Sequence, residues 1–388
     1  MTISLEGRVI LQVLPALDTG GVEQMTLDTT GALVRAGARA LVASAGGRLE
    51  PELERAGGEP IHLPLASRNP LTIAANVARI AHVIRSRRVD LVQVRSRAPA
   101  FSALPAAALC GVPTVTTYHG VYNARSPLKR WYNKVMTRGD LTIVSSEFTA
   151  AHIRIEHGLD PARVLVIPEG IDLARFDPAV VAPERTAAMR ASWGVGEGET
   201  RPVFLLAGRL TRWKGQALAI EALRRCAGTG AGSILVLAGS DQGRSGYLAE
   251  LRAQVEAAGL GETVRFAGHV ADMPAAYLAA DVVLAPSTDP EAFGRTAVEP
   301  QAMGRPVLAA DHGAVRETVD EGVTGWRVAP GDAEAWAGAL LRMMAMTGEA
   351  RAAMGAAGLA RARQIYTLER MTDATLAAYA RVIADHKT

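Results

Sequence analysis

Val282-Val283-Leu284-Ala285-Pro286-Ser287-Thr288-Asp289-Pro290-Glu291-Ala292-Phe293-Gly294-Arg295-Thr296-Ala297-Val298-Glu299 is the stretch on which the fold of this chain turns. Its first four residues form a continuous apolar run, as in a strand covered on both faces. Pro286 closes the run, and a helical pattern starts near Gly294, placing Glu299 about a turn and a half inside the helix. Strand, loop and helix in this order make up half of a parallel βαβ unit. The loop carries one carboxylate, Glu291, and the helix a second, Glu299. Between them lies a helix N-terminus, whose free N–H groups and dipole favour phosphate. Eight residues at largely helical rise separate the two acids by about 12 Å.

The same alternation extends outward in both directions. Apolar, β-prone runs fall at Val9–Leu14, Ala40–Ser44, Pro60–Leu63, Leu91–Val94, Thr114–Tyr118, Leu141–Val144 and Val164–Ile167. A second series falls at Val203–Ala207, Ile234–Ala238, Val264–Phe266, Val282–Ala285, Val307–Ala309 and Trp326–Val328. Helical stretches such as Ile73–Ile84 and Ala217–Cys226 separate them, which predicts an α/β protein with parallel sheets. A chain of 388 residues exceeds the usual single domain, so two are expected. From Asp172 to Arg201 the pattern lapses into a segment with Pro178, Pro183, Gly194, Gly196 and Gly198, expected to link the halves. Two open parallel sheets facing each other would place a ligand cleft at the carboxyl ends of their strands. Beyond the second series, Leu368, Met371, Leu376, Tyr379, Val382 and Ile383 recur near helical spacing and need a surface to cover them.

Composition narrows the class. Apolar residues at 49% and charged residues at 21% fit a packed globular chain. Two cysteines, Cys110 and Cys226, one in each half, give no disulfide framework or thiolate metal cage, and a reducing cytosol is expected. The apolar run from Val9 to Pro15, flanked by Glu6, Arg8 and Asp18, is too short for an export signal. The uncharged stretch between Arg97 and Arg125 is broken by Pro99, Pro105 and Pro113, so it reads as a helix plus a strand rather than a membrane span. Charge is uneven: from Arg79 to Arg138 there are eleven cations against one acid, Asp90. That asymmetry predicts an anionic partner for the first half. Within it, Leu128, Trp131, Tyr132 and Val135 form an apolar stripe, with Lys129, Arg130, Lys134 and Arg138 largely off it. Such a helix either packs its stripe on a sheet or meets an acceptor or a membrane surface. Nucleic acid is not expected, because no recognition module accompanies the charge.

Three further motifs sit where strands give way to helices. Leu14-Pro15-Ala16-Leu17-Asp18-Thr19-Gly20-Gly21-Val22-Glu23 leads into a helix, and its glycines let the backbone approach a ligand. It is not the dinucleotide fingerprint, since no Gly-x-Gly-x-x-Gly is present. Gly208-Arg209 and Lys214-Gly215 flank a loop after the first strand of the second series, where two cations could hold a diphosphate. His119 ends the strand Thr114–Tyr118, at the edge where α/β sheets bind ligands.

Gly20-Gly21-Val22-Glu23, His119-Gly120, Pro168-Glu169-Gly170-Ile171-Asp172, Gly208-Arg209, Lys214-Gly215, and Glu291 and Glu299 with seven residues between them appear in one order. This order resembles that of the retaining GT-B glycosyltransferases of family 4, and the likeness covers nearly the whole chain. The resemblance implies GT-B architecture: two Rossmann-like parallel-sheet domains facing across a cleft, with a C-terminal helix returning to the N-terminal domain. On this basis residues 1–175 form an acceptor domain, 176–366 a nucleotide-sugar domain and 367–388 the returning helix. Arg209 and Lys214 would bind the donor diphosphate, Glu299 the ribose hydroxyls and Glu291 the transferred sugar. His119 would line the sugar pocket, and Gly21, with Gly20 beside it, would approach the reacting phosphate. The turn Phe266-Ala267-Gly268-His269-Val270 resembles a base-binding loop, read by backbone around His269 and Val270. Gly208, Phe293, Gly294, Arg295 and Thr296 complete the donor-binding set. The family commonly has Asn where this chain has Glu169.

The expected activity is a retaining, metal-independent hexosyl transfer from a nucleotide-diphosphate sugar, UDP-sugar favoured, to an anionic glycan or glycolipid. Envelope lipopolysaccharide or glycolipid synthesis is the expected setting, in the cytoplasm or peripherally at the inner face of the plasma membrane. No cofactor beyond the donor substrate is expected, and no metal, since Asp289 and Glu291 around a proline make a poor ligand set. An epimerase or phosphorylase could share the fold, the phosphorylase requiring a lysine-bound pyridoxal phosphate. A two-lobed sugar-binding protein would leave Arg209, Lys214 and the paired glutamates without a role.

Overall fold

The computed structural model describes residues 5–18, 20–122, 126–229, 232–241, 243 and 245–386. The chain folds as two compact units, Met1–Gly170 with Leu368–Thr388, and Ile171–Thr367. The crossing therefore falls at Gly170–Ile171 rather than near residue 175.

The first unit holds seven strands: β1 (Val9–Val13), β2 (Arg39–Ser44), β3 (Glu59–His62), β4 (Leu91–Val94), β5 (Thr114–Tyr118), β6 (Leu141–Val144) and β7 (Val164–Val166). They form one sheet in the order β3-β2-β1-β4-β5-β6-β7, with every pairing parallel. The order reverses between β1 and β4, the topological switch of doubly wound sheets. The second unit holds β8 (Val203–Ala207), β9 (Ile234–Ala238), β10 (Val264–Gly268), β11 (Val282–Ala285), β12 (Val307–Ala310) and β13 (Gly325–Val328). Their order, β10-β9-β8-β11-β12-β13, reverses between β8 and β11 in the same way. Each of the thirteen strands among the described residues overlaps one of the apolar runs of the sequence.

One device recurs at the start of these strands. The Asp90 carboxylate, just before β4, accepts the N–H of Val9 in β1 at 2.9 Å. Asp140, before β6, accepts the N–H of Thr114 in β5 at 2.7 Å, and Asp281, before β11, accepts that of Val203 in β8 at 2.7 Å. An edge N–H that the parallel ladder leaves free is thereby satisfied, and adjacent strands are held level at their amino ends.

The segment expected to be a linker is part of the second unit. Pro183–Ser192 is a helix, and it packs on the helix Met273–Ala279. Arg190 donates to the carbonyl of Ala279 at 2.9 Å, and Trp193 and Val195 are buried in this unit's core. Its proline and glycine punctuate a helix: Pro183 opens it, and Gly194 follows its end at φ +70°.

The C-terminal helix Leu368–Asp385 belongs to the first unit, against the helix Gly21–Arg35 and β5. Met371, Leu376, Tyr379, Val382 and Ile383 share a core there with Ile10, Leu33, Val115 and Ile143. Tyr379 is fully buried. Tyr379→Ala should lower the stability of this unit by about 3–5 kcal/mol, seen as a lower denaturant midpoint at unchanged slope.

Candidate active site

In the second unit the loops that leave the carboxyl ends of the strands are locked together by backbone contacts. Gly215 follows a short 3₁₀ turn, Arg212–Lys214, at φ +79°. A Cβ there would lie 2.0 Å from the carbonyl oxygen of Pro286, so only glycine lets the loop after β8 press on the loop after β11. The N–H of Thr288 donates to the carbonyl of Trp213 at 2.7 Å, closing the same junction. From the loop after β12, Ala314 N–H donates to the Glu291 carbonyl at 3.0 Å, and a His312 ring nitrogen meets the Ser287 carbonyl at 2.8 Å.

This scaffold brings Lys214 and Glu291 together across 77 residues of sequence. The Lys214 ammonium donates to Glu291 Oε1 at 2.5 Å, and Ser287 Oγ donates to the same oxygen at 2.6 Å. Both charged side chains are only 12% and 15% exposed, and the ammonium also lies 4.3 Å from the Trp213 ring centroid. Gly294, left-handed at φ +86°, caps the helix Arg295–Ala302. Glu299 on that helix receives the Tyr277 hydroxyl at 2.9 Å and Arg295 Nε at 3.0 Å.

The other donor-side residues divide by exposure. Arg209 is exposed, and no partner for its guanidinium is found among the described residues. Gly208 lies beside it and, at φ +159°, is essentially extended. His269 is exposed and Val270 half-buried, just after Gly268 at φ +66°. Thr296 is half-buried, whereas the Phe293 ring is in the core, edge-on to Tyr366 at 5.6 Å. Only the backbone of Phe293 can therefore face a ligand.

In the first unit, Gly20 and Gly21 are exposed at the N-terminus of the helix Gly21–Arg35. A Cβ on Gly21 would meet nothing within 4 Å, so packing within the protein does not demand a glycine there. Thr19 lies outside the described residues. His119, after β5, lines a cavity of about 20 Å³ with Arg95, Thr117, Ser145, Glu169 and Thr375. Its Nε2 is shielded and has no hydrogen-bond partner among the described residues. Burial, with the charge of Arg95 as a smaller second cause, pushes the imidazole from 6.5 down to about 3.

The cations counted along the sequence do not form one surface. Arg95 is 2% exposed, donating to Gln12 Oε1 at 2.8 and 3.1 Å and to Thr29 Oγ1 at 2.9 Å. Arg97 lies 3.8 Å over the Tyr122 ring, Arg87 reaches Glu59 at 3.8 Å, and Arg130 reaches Glu156 at 3.3 Å. Arg125 lies outside the described residues. The apolar stripe is also split. Val135 is buried, but Leu128 and Trp131 on the helix Pro127–Lys134 are 73% and 52% exposed.

The family model for glycosyl transferases group 1 matches residues 190–361, and that for glycosyltransferase family 4 matches residues 19–175. A crystallised glycosyltransferase from Rickettsia africae is 30% identical with a TM-score of 0.88, covering 97% of this chain and 98% of that one. This chain belongs to glycosyltransferase family 4. The Anabaena protein HepE, solved in complex with UDP and glucose, matches at 25% identity and a TM-score of 0.83, covering 96% of this chain and all of that one. A D-inositol 3-phosphate glycosyltransferase from Geodermatophilus obscurus is 34% identical over 254 residues, 63% of this chain and 53% of that protein. The chain spans about half to two thirds of the length of such relatives.

Within this family 4 chain, the second unit's motifs come together around two loci, Lys214 with Glu291, and Glu299, while Gly20, Gly21 and His119 belong to the first unit. Sequence reasoning missed Tyr277, Ser287 and His312, which hold those acids or their loops. Tyr277 gave one signal, a polar handle on an otherwise apolar helix. Arg95 is among the eleven cations between Arg79 and Arg138 whose excess predicts an anionic partner, and a lone arginine at a strand end carries no mark of burial.

His119 supplies a test in solution. Its folded pKa lies below that of the unfolded chain, so the unfolded state binds more protons as pH falls below 6.5. Stability is then lost on acidification, by at most about 1.4 kcal/mol per pH unit from this group. The His119→Gln variant should show a correspondingly flatter stability profile between pH 6 and 4, measured by denaturant unfolding.

Proposed function

We propose that this chain transfers a hexose from a nucleotide-diphosphate sugar, with retention at the anomeric carbon, to an anionic glycan or glycolipid. The observation that carries the proposal is the arrangement around Gly294. Lys214 and Glu291 are paired on one side of a helix N-terminus, and Glu299 lies within the helix behind it. A diphosphate suits the helix N-terminus and the two cations Arg209 and Lys214. A sugar next to it finds the Glu291 carboxylate, and a ribose finds that of Glu299. As the anomeric carbon–oxygen bond breaks, the departing diphosphate takes the bonding pair, and Arg209 and Lys214 offset the charge that develops. No divalent ion is required in this scheme. From the first unit, Gly20 and Gly21 leave a helix N-terminus open to phosphate, and His119 offers a neutral imidazole to a sugar hydroxyl.

A UDP-sugar is favoured because HepE, of the same fold, was solved with UDP and glucose. An anionic acceptor is favoured because the curated relatives are named for inositol 3-phosphate, a phosphorylated polyol. The backbone around His269 and Val270 is assigned to the base. Arg209→Ala and Lys214→Ala should each lower turnover by about 10²-fold or more. Near-normal turnover in a folded double variant would remove both residues from the mechanism. UDP-, GDP- and ADP-sugars should be ranked by the melting temperature they confer.

We also place this activity at an anionic membrane face, in envelope glycolipid or lipopolysaccharide synthesis on the cytoplasmic side. No described helix is long and apolar enough to cross a membrane. Exposed Leu128 and Trp131 next to exposed Lys129, Arg130 and Lys134 favour a surface contact instead. The protein should co-sediment with phosphatidylglycerol vesicles and be released as salt rises. Changing Lys129, Arg130 and Lys134 to Glu should abolish sedimentation and leave nucleotide-sugar binding intact. Equal sedimentation of both proteins would reject the membrane contact.

A further inference from the structure

Tyr277 has no role in the scheme so far, yet it touches one of its central acids. It lies on the helix Met273–Ala279 and is 1% exposed. Its hydroxyl donates to Glu299 Oε2 at 2.9 Å from the buried side. On the opposite oxygen, Oε1, Arg295 donates through Nε at 3.0 Å, with Nη2 at the same distance. The carboxylate is 15% exposed, so little of it beyond those two contacts faces outward. Each oxygen is thus held by one side chain, Oε2 by Tyr277 and Oε1 by Arg295, and the plane of the carboxylate is fixed. Of roughly four lone-pair sites on an ionised carboxylate, part of each oxygen's capacity remains for an incoming ligand.

We infer that Tyr277 is a positioning residue that holds Glu299 as a two-oxygen acceptor for the adjacent 2′- and 3′-hydroxyls of a ribose, so that the site selects ribonucleotide over 2′-deoxyribonucleotide donors. The inference rests on the proposed assignment of Glu299 to the ribose. Without the phenol, Oε2 would lose its anchor, and the side chain would be free to turn toward the Arg295 fork. A phenol suits this duty because it stays a donor: burial, and then the neighbouring Glu299 carboxylate, raise its pKa well above the usual range. The ring itself is held by the core. Phe176 lies 6.4 Å away, and Tyr277 shares a cluster with Val181, Trp193 and Val195. Pro183–Ser192, which looks like a linker in sequence, packs on the helix that carries Tyr277. The alternative role for Tyr277 is packing alone, with its hydroxyl merely satisfied, and this differs in what it predicts for ligand discrimination.

The test compares binding of UDP and 2′-deoxy-UDP, or the guanosine or adenosine pair if that base binds tighter, to wild type, Y277F, E299Q and the double variant. Phe fills the ring's volume, so Y277F keeps the core, and its melting temperature checks this. Wild type should prefer the ribonucleotide by about tenfold, the scale of one hydrogen bond to a charged group. E299Q should abolish most of that preference, Y277F should reduce it to about threefold or less, and the double variant should match E299Q. In turnover, Y277F should raise the donor KM and leave kcat nearly unchanged. Full preference retained in Y277F but lost in E299Q would overturn the role of Tyr277 and leave the ribose assignment standing. Full preference retained in E299Q would overturn the ribose assignment, and the inference with it.

Discussion

The candidate site depends on one close approach, that of Gly215 to the carbonyl of Pro286. There is no room at this junction for even a methyl group, since a Cβ would lie 2.0 Å from the oxygen. The contact seats the loop after β8 on the loop after β11, and Lys214, one residue earlier, reaches Glu291 as a result. Gly313 repeats the arrangement from the loop after β12, where a Cβ would lie 2.6 Å from the Glu291 carbonyl oxygen. Glycines at positive φ therefore bring three loops to one place, and the polar groups follow. For a lysine and a glutamate this far apart in sequence, the meeting would otherwise cost the chain entropy of closing a long loop. Here the backbone has already been ordered by the sheet.

Pairing Lys214 with Glu291 has an electrostatic consequence. Both are largely buried, and each is the other's main compensation, with Ser287 satisfying the shared oxygen further. A buried pair tolerates loss of one partner poorly, because the remaining charge is stranded. An incoming diphosphate could offer Lys214 a second anion, and a sugar could offer Glu291 hydroxyl donors, so a ligand of that kind replaces what it disturbs. In the first unit Arg95 presents the opposite case. It is a buried cation held by neutral oxygens from Gln12 and Thr29, with no ion pair to a carboxylate among the described residues. Its field adds to burial in keeping His119 neutral.

The strands were legible because parallel strands buried on both faces must be continuously apolar, whatever their neighbours. Val203–Ala207 and Leu141–Val144 could be placed from that alone. The segment from Asp172 to Arg201 was misread for a related reason. The helix Pro183–Ser192 has no buried residue of its own, so it shows no apolar stripe, and its packing anchors Trp193 and Val195 lie just beyond its end. For Leu128 and Trp131 the sequence left both outcomes open, since helical spacing marks a stripe but not whether anything covers it, and in the fold both are exposed.

The amino-acid sequence by itself determined the alternation of strands and helices, the α/β class, the positions of the glycine-bearing turns and the types of side chain at each strand end. These are local properties, set by backbone sterics and by the need to bury apolar runs. Tertiary structure alone decided which of those side chains meet. Strand order put the loops after β8, β11 and β12 side by side, close packing at Gly215 and Gly313 brought Lys214 to Glu291, and a helix hidden in an apparent linker backed Tyr277 against Glu299. Sequence separation carries no record of such meetings, because the contacts that produce them are made by the backbone of the sheet rather than by the residues that meet.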